Sequence, residues 1–392
     1  MRFPNLCATA LLCATLATPG FAAPCGGSFS QYIAAIKAEA RQRGFSAAEA
    51  DRFFANVRQD NRVLKADRSQ GVFRSSFTDF SRKLISQSRI RNGAANARKY
   101  QSTFNRAAKE YGVSPGILLA FWAFETDYGK VQGNFNTVNA LATLGHDCRR
   151  PGLFQPQLHA AMQLWKRGMI DPARTTGAWA GEIGMVQMLP GDILERGVDG
   201  DGDGKVLLKT SVADAVLSGA RMLRDLGWRR GEPWLQEVVV PSNLDWSQTG
   251  LDKSRPASEW ARMGVKPRHG SLPRNLRASM LLPEGRKGPA FLAYPNFHVL
   301  FEWNKSFVYV TTAAYFGTRL EGAPVFNAGN PDKQLSGNQM KTLQQKLQAR
   351  GYDVGGIDGI LGKMTREAVQ KEQIRHGLPA DAWPTRDLLN RL

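Results

Sequence analysis

One stretch constrains the fold more than any other: SPGILLAFWAFETDYG, residues 114–129. Ser114 suits an N-cap, Pro115 suits the first helical position, and Gly129 is a good stop. The spacing predicts a helix over 115–128. On it Ile117, Phe121 and Glu125 fall four apart, with Leu118 and Trp122 beside them, so Glu125 shares the apolar face in the last turn. Partial desolvation and the negative end of the helix dipole both disfavour its charged form. Each raises its pKa, as a general acid working near neutral pH requires. A buried ion pair with an arginine, or a cap on nearby backbone, is the plainer account, and the stretch alone leaves both open. Asp127 is two residues on and points elsewhere, so no carboxylate pair forms locally.

The rest of the body reads as mainly helical. From SFSQYIAAIKAEARQRGFSAAEADRFFANV onward the apolar spacing is three and four, and Ser46 followed by Glu49 makes a capping box. Helical patterns recur over 97–111, 157–168 and 212–227. β-branched and aromatic residues gather in LQEVVVP and in FVYVTTAAYF, but the second also has helical spacing and is assigned to helix. A chain of 392 residues, 42% hydrophobic and 22% charged, can build two or three domains. EGAPVFNAGNPDKQLSGNQ is rich in Gly, Pro and Asn, as a linker is. The expected division is a leader over 1–22, a large domain over 23–320, a linker over 321–335 and a small unit over 336–392.

The leader follows from MRFPNLCATALLCATLATPGFAAPC. Arg2 gives a positive start, residues 6–17 are almost wholly apolar, and Gly20-Phe21-Ala22 offers a small-x-small cleavage site, the pattern of a secretory signal. Cys7 and Cys13 would leave with it. Cys25 and Cys148 remain as a disulfide candidate for an oxidising compartment, two free thiols being the alternative. No CxxC and no Cys/His cluster of zinc spacing is present. The formal charge is +18, from 52 Lys+Arg against 34 Asp+Glu. Such a field favours a polyanion. Export and the lack of a nucleic-acid motif exclude nucleic acid, which leaves an anionic cell envelope, or a basic surface with no specific partner.

A second motif stands at VDGDGDGKVLL. Asp199, Asp201 and Asp203 fall at positions 1, 3 and 5 of a calcium loop, Gly204 at 6, and Lys205 offers a backbone carbonyl at 7. Position 12 is Thr210 where the standard loop has a bidentate Glu. Without a further oxygen ligand, three aspartates make a weak site or a Gly-Asp turn.

FETDYGKVQGNFNTVNALATLGHD resembles the catalytic stretch of the lytic murein transglycosylases of the membrane-bound B type, where a helix ends in Glu-(Thr/Ser)-x-(Tyr/Phe/Trp)-Gly before an ALATL helix. GAWAGEIGMVQMLPGDILERGVDGDGDGKV and PAFLAYPNFHVLFEWNKSFVYVTTAAYFGTRL resemble two further segments of that family, in the same order. The resemblance implies a mainly α, lysozyme-like catalytic domain related to goose-type lysozyme. Its expected reaction cleaves the β-1,4 bond between N-acetylmuramic acid and N-acetylglucosamine, the muramic 6-hydroxyl attacking to leave a 1,6-anhydro end. Glu125 is then the single acid and later base. Gln187, Trp303, Asn304, Ser306 and Tyr309 line the substrate cleft, Trp303 and Met188 standing where many relatives have Tyr and Phe. Asp214 matches the family's distal carboxylate at the acidic loop, so a calcium or sodium ion would staple that loop, with no cofactor needed for catalysis. Glu182 is the one candidate for a second carboxylate. It is read as loop support; opposite Glu125 it would restore ordinary hydrolysis.

LQQKLQARGYDVGGIDGILGKMTREAV resembles the small three-helix peptidoglycan-binding domain. Gly359 and Gly362 allow a tight turn after Asp358, Thr365 is expected to cap the next helix, and Glu372 stands where Phe is frequent. The expectation is a monomeric, exported periplasmic enzyme acting on peptidoglycan alongside other cell-wall enzymes. Pro24 before Cys25 argues against a lipid anchor. A hydrolytic muramidase on the same scaffold and a non-catalytic wall-binding protein are the alternatives.

Overall fold

The computed structural model describes residues 23–69 and 75–392, so the expected leader over 1–22 lies outside the described residues. The helix over Pro115–Thr126 is the axis of the molecule. Ser114 caps it, accepting from Gly116 N, and Pro115 opens it. Every residue from Gly116 to Ala123 is buried, so the run is covered on all sides. Its cover comes from Gln87–Lys99, Gln101–Tyr111, Val212–Asp225 and above all Phe307–Leu320, packed along its length. Together they enclose the largest hydrophobic core, which includes Ile117, Phe121, Leu217, Val310 and Phe316.

A second core, built on Tyr32, Ile36, Phe53, Leu141 and Leu158, belongs to the N-terminal helices and to Thr137–His146 and Pro151–Lys166. Cys25 and Cys148 are joined there in a disulfide spanning 123 residues of chain. The capping box at Ser46 and Glu49 is formed.

The helical reading undercounts strands. LQEVV does form a strand, Leu235–Val239, but it sits within a five-stranded antiparallel sheet. The order is Ser254–Pro256, Arg277–Leu281, Phe291–Ala293, Leu235–Val239, Lys266–Pro267. That sheet has its own core around Trp260, Met280, Leu292 and Tyr294. FVYVTTAAYF is helix, as its spacing predicts.

The C-terminal unit is three helices, Gly337–Ala349, Lys363–Arg375 and Arg386–Arg391, around Leu343, Leu347, Val369 and Leu388. Gly359 takes the left-handed φ of 79° that the turn after Asp358 requires. Thr365 does not cap the helix that follows. Gly362 occupies the N-cap, and the Thr365 hydroxyl, buried three residues further on, donates to Val354 O at 3.1 Å. No described helix is long and apolar enough to cross a membrane.

Candidate active site

The central helix stops earlier than Gly129 suggests. Asp127 (φ 50°), Tyr128 (φ 60°) and Gly129 (φ 85°) are all left-handed, two of them without the freedom of glycine. Arg89 holds both in place. Its Nε donates to Asp127 Oδ1 at 3.1 Å, and its backbone carbonyl accepts from Tyr128 Oη at 2.8 Å. Thr126 donates through Oγ1 to Met185 O at 2.7 Å, tying the helix end to the next loop. The sharp exit ends the helix just after Glu125, which stays partly exposed in its last turn. Arg89 and Thr126 carry no motif of their own; only their distant partners reveal what they do.

Glu125 as a residue is half-buried, yet its carboxyl is surrounded by protein. Tyr309 Oη donates to Glu125 Oε1 at 2.5 Å and Trp303 Nε1 donates to the same oxygen at 3.3 Å. Burial pushes the Glu125 pKa up to about 7, against the pull of these two donors, and the charge of Glu182 adds to the rise. Burial also drives Tyr309 well above its usual value, and the adjacent carboxylate adds to it, so Tyr309 stays a donor.

The other expected cleft residues differ in what they hold. Trp303 stacks on Phe121, with ring centres 4.5 Å apart and planes 19° apart, so one of its faces is taken. Asn304 Oδ1 accepts from Ser306 N at 2.9 Å, and Ser306 is the N-cap of the Phe307–Leu320 helix. The two therefore shape the turn that delivers Tyr309 to Glu125. Gln187 is left-handed at φ 52°. Its Nε2 donates to Gly184 O at 2.6 Å, which leaves Oε1 as its acceptor. Met188 is buried in the main core rather than in the cleft.

Glu182 lies in the tight loop between the Thr176–Gly177 strand and the Ile183–Met188 bridge. Gly177 has no room for a side chain there, because a Cβ would run into the Glu182 carbonyl oxygen. Burial raises the Glu182 carboxyl, while the backbone N–H groups of Glu182 and Ala180 and the charge of Arg150 pull the other way. Its Oε2 is buried with no hydrogen-bond partner among the described residues.

In the acidic loop Asp199, Asp201 and Asp203 each offer a carboxylate oxygen, all within 4.8 Å of one another. The chemistry suits a hard cation, although the same carboxylates accept from loop amides, as Asp199 does from Gly202 N and Gly204 N. Lys205 enters through its amide, donating to Asp203 Oδ1 at 2.8 Å. Asp214 is not among the three. It is fully buried, and its oxygens accept from Gly200 N at 2.8 Å and Leu207 N at 2.6 Å, clamping both ends of the loop.

Comparison with known proteins places the chain in a family. Residues 28–318 match the model of the Transglycosylase SLT domain, and residues 336–392 that of the peptidoglycan binding domain. The chain is 29% identical over 242 residues to the membrane-bound lytic murein transglycosylase B of Escherichia coli. That match takes in 61% of this chain and 65% of the relative, a little under two thirds of its length. SltB3 from Pseudomonas aeruginosa, solved with NAG-anhNAM-pentapeptide, superposes with a TM-score of 0.85 at 36% identity, covering 93% of this chain and 99% of that one. An Escherichia coli lytic transglycosylase solved in complex with calcium gives a TM-score of 0.65 at 25% identity, covering 76% and 96%. The chain belongs to the Transglycosylase SLT domain family, in its membrane-bound B type, and carries a peptidoglycan-binding domain at its C-terminal end.

Proposed function

We propose that the protein is a lytic transglycosylase cutting the β-1,4 bond between N-acetylmuramic acid and N-acetylglucosamine in peptidoglycan. The observation that carries this reading is the setting of Glu125: a carboxyl enclosed by protein, both of whose donors address one oxygen, where burial pushes its pKa up to about 7. With Oε1 occupied as an acceptor, the proton belongs on Oε2. It passes to the glycosidic oxygen as the bond from C1 breaks. The muramic 6-hydroxyl oxygen closes on C1, and Glu125, now ionised, takes the hydroxyl proton. Atoms balance without water, and the product ends in 1,6-anhydromuramic acid. Tyr309 and Trp303 steady the carboxylate in the interval, and Gln187 Oε1 would accept from an acetamido N–H.

Glu182 supports a second reading, hydrolysis, because its charge reaches Glu125. A base that activates water must be ionised, and burial disfavours that form in Glu182. Mass spectrometry of the products released from purified sacculi decides between the two. Anhydromuropeptides from wild type and none from Glu125→Gln are expected. Reducing ends would move the mechanism to Glu182. No release by a folded wild-type protein would leave a wall-binding role.

The remaining assignments belong to the same proposal. Residues 1–22 direct export to the periplasm, 23–320 form the catalytic domain, 321–335 link it to the binding domain, and the protein works as a monomer among other cell-wall enzymes. Asp199, Asp201 and Asp203 would hold a calcium or sodium ion, which supplies loop rigidity rather than chemistry.

A further inference from the structure

Three stretches of chain meet at the end of the central helix, and two of them carry the site. The first runs from Glu125 through the left-handed exit to Gln132. The second is the 183–188 loop, which carries Gln187. The third, Leu208–Lys209, leads away from the acidic loop and bears none of the groups assigned to substrate. Each pair is bonded. Thr126 Oγ1 donates to Met185 O, joining the first to the second, and Met185 N donates to Leu208 O at 2.9 Å, joining the second to the third. Gln132 joins the first to the third: its Nε2 donates to Gly129 O at 3.1 Å and to Lys209 O at 3.0 Å. The backbone carbonyl of Gln132 also meets Gln187 Nε2, at a longer 3.5 Å.

The amide of Gln132 has one workable orientation. Both of its neighbours are carbonyl oxygens, so the nitrogen must face them. That leaves Oε1 buried, with no hydrogen-bond partner among the described residues. A buried acceptor left over costs about 1–3 kcal/mol, comparable with what two neutral hydrogen bonds contribute. On stability alone, then, Gln132 gains little over an apolar side chain of similar length. What the amide supplies is geometry. Arg89 fixes the exit at Asp127 and Tyr128; Gln132 fixes it at Gly129 and ties it to a segment that is itself anchored. Lys209 Nζ donates to Thr176 O at 2.5 Å and to Thr176 Oγ1 at 3.2 Å. Leu208 is buried, and Gly184 lies so close to it that a Cβ there would meet its backbone. The third stretch is a fixed post for the other two.

We propose that Gln132 is a positioning residue for the reaction, a splint that holds the exit after Glu125 against Lys209 and keeps Glu125 and Gln187 at a constant spacing. The proposal rests on the function given above for Glu125, and Gln132 itself touches no substrate. A misplacement of about 1 Å costs on the order of 100-fold in rate, so these two hydrogen bonds matter more to turnover than to stability. A looser exit would also admit water to the Glu125 carboxyl, and burial is the largest cause of its raised pKa.

Gln132→Met tests it, because it removes both donors and keeps an unbranched side chain of similar length. In the full-length protein the Glu125 carboxyl is followed by carbon-13 NMR, its resonance identified by its loss in Glu125→Gln. Wild type should titrate at about 7, and Gln132→Met about one pH unit lower. Total bond cleavage in sacculi, counted whatever end the product carries, should show kcat about tenfold lower per folded molecule. Gln132→Asn keeps the amide but is a methylene too short to reach both carbonyls, and gives the same readings in milder form should the methionine variant unfold. A residue serving stability alone would lower the melting temperature and leave both the titration and kcat unmoved; that result overturns the proposal. The titration needs no turnover, so the two readings can fail separately. A shifted Glu125 in a protein releasing no anhydro product would keep the splint and remove the transglycosylase reading. Anhydro products with an unshifted Glu125 would do the reverse.

Discussion

Glu125 in the cleft and Glu372 in the C-terminal domain are two glutamates withdrawn from solvent, and their company differs. Glu372 is fully buried at the spot where a phenylalanine is frequent in similar domains. Tyr352 Oη donates to it at 2.6 Å, Arg375 pairs with it at 3.1 Å, and Arg350 and His376 stand at 3.8 and 3.5 Å. Glu125 also has a tyrosine at 2.5 Å, but its second donor is the neutral indole of Trp303, and the charge that shifts it is that of another carboxylate, Glu182. The tyrosine is common to both. What separates them is whether a cation balances the charge: with one, a buried carboxylate is a structural pin, and without one it becomes a proton carrier.

The comparison breaks first at Glu125→Gln. A folded variant should lose turnover by about a thousandfold, within the range a single acid–base group supplies; retention of a tenth of wild-type turnover on sacculi would end the single-glutamate account. Next in size is Tyr309→Phe. Removing a donor to the ionised form lifts the Glu125 pKa above about 7, so the alkaline limb of the pH–rate profile should move up while turnover drops about 10–100-fold. An alkaline limb that stays put would mean that Tyr309 does not address the titrating group. In wild type that limb should fall through about pH 7, because the acid must be protonated to act.

A stability measurement sharpens the contrast further. The Glu125 pKa is raised from 4.5 to about 7, so the folded state holds the proton more tightly than the unfolded chain. Its contribution is intact below pH 4.5 and is lost as the pH climbs through 7. Glu125→Gln has nothing to lose over that window. Thermal unfolding should show the variant gaining on wild type by on the order of 1–3 kcal/mol between pH 4 and pH 8. A gap independent of pH would show that the folded carboxyl titrates like an exposed one.

How much of this could be read from the chain depends on whether the determining contacts are local. The central helix was legible because Ser114, Pro115 and the four-residue spacing to Glu125 all lie within one segment, and Glu125 stood out by its place in the last turn. Tyr309 and Gln187 came only through resemblance, since nothing within either segment tells which carboxyl or carbonyl it will meet. Arg89 escaped because its work is done across 38 residues, on a strained exit that the stop at Gly129 hid. The sheet escaped for another reason: its strands are two to five residues long, too short for an alternating pattern to rise above noise. At the acidic loop the spacing drew three aspartates together correctly, but Asp214 was spent on backbone amides that no spacing reveals.

The smallest expected effect lies at the other end of the comparison. Glu372→Gln keeps the shape and the bond from Tyr352 but removes the charge that Arg375, Arg350 and His376 face. Because Arg375 is largely open to water, with its side chain 64% exposed, the lost pairing is worth less than in a sealed core. Unfolding of the C-terminal domain should become easier by about 1 kcal/mol, and turnover of small soluble fragments should not change. The sign is the informative part. Near pH 8 the same amide substitution should stabilise the protein at Glu125 and destabilise it at Glu372. Two losses would mean that Glu125, too, is held by charge, and that its role as acid must be sought in motion of the cleft rather than in its resting surroundings.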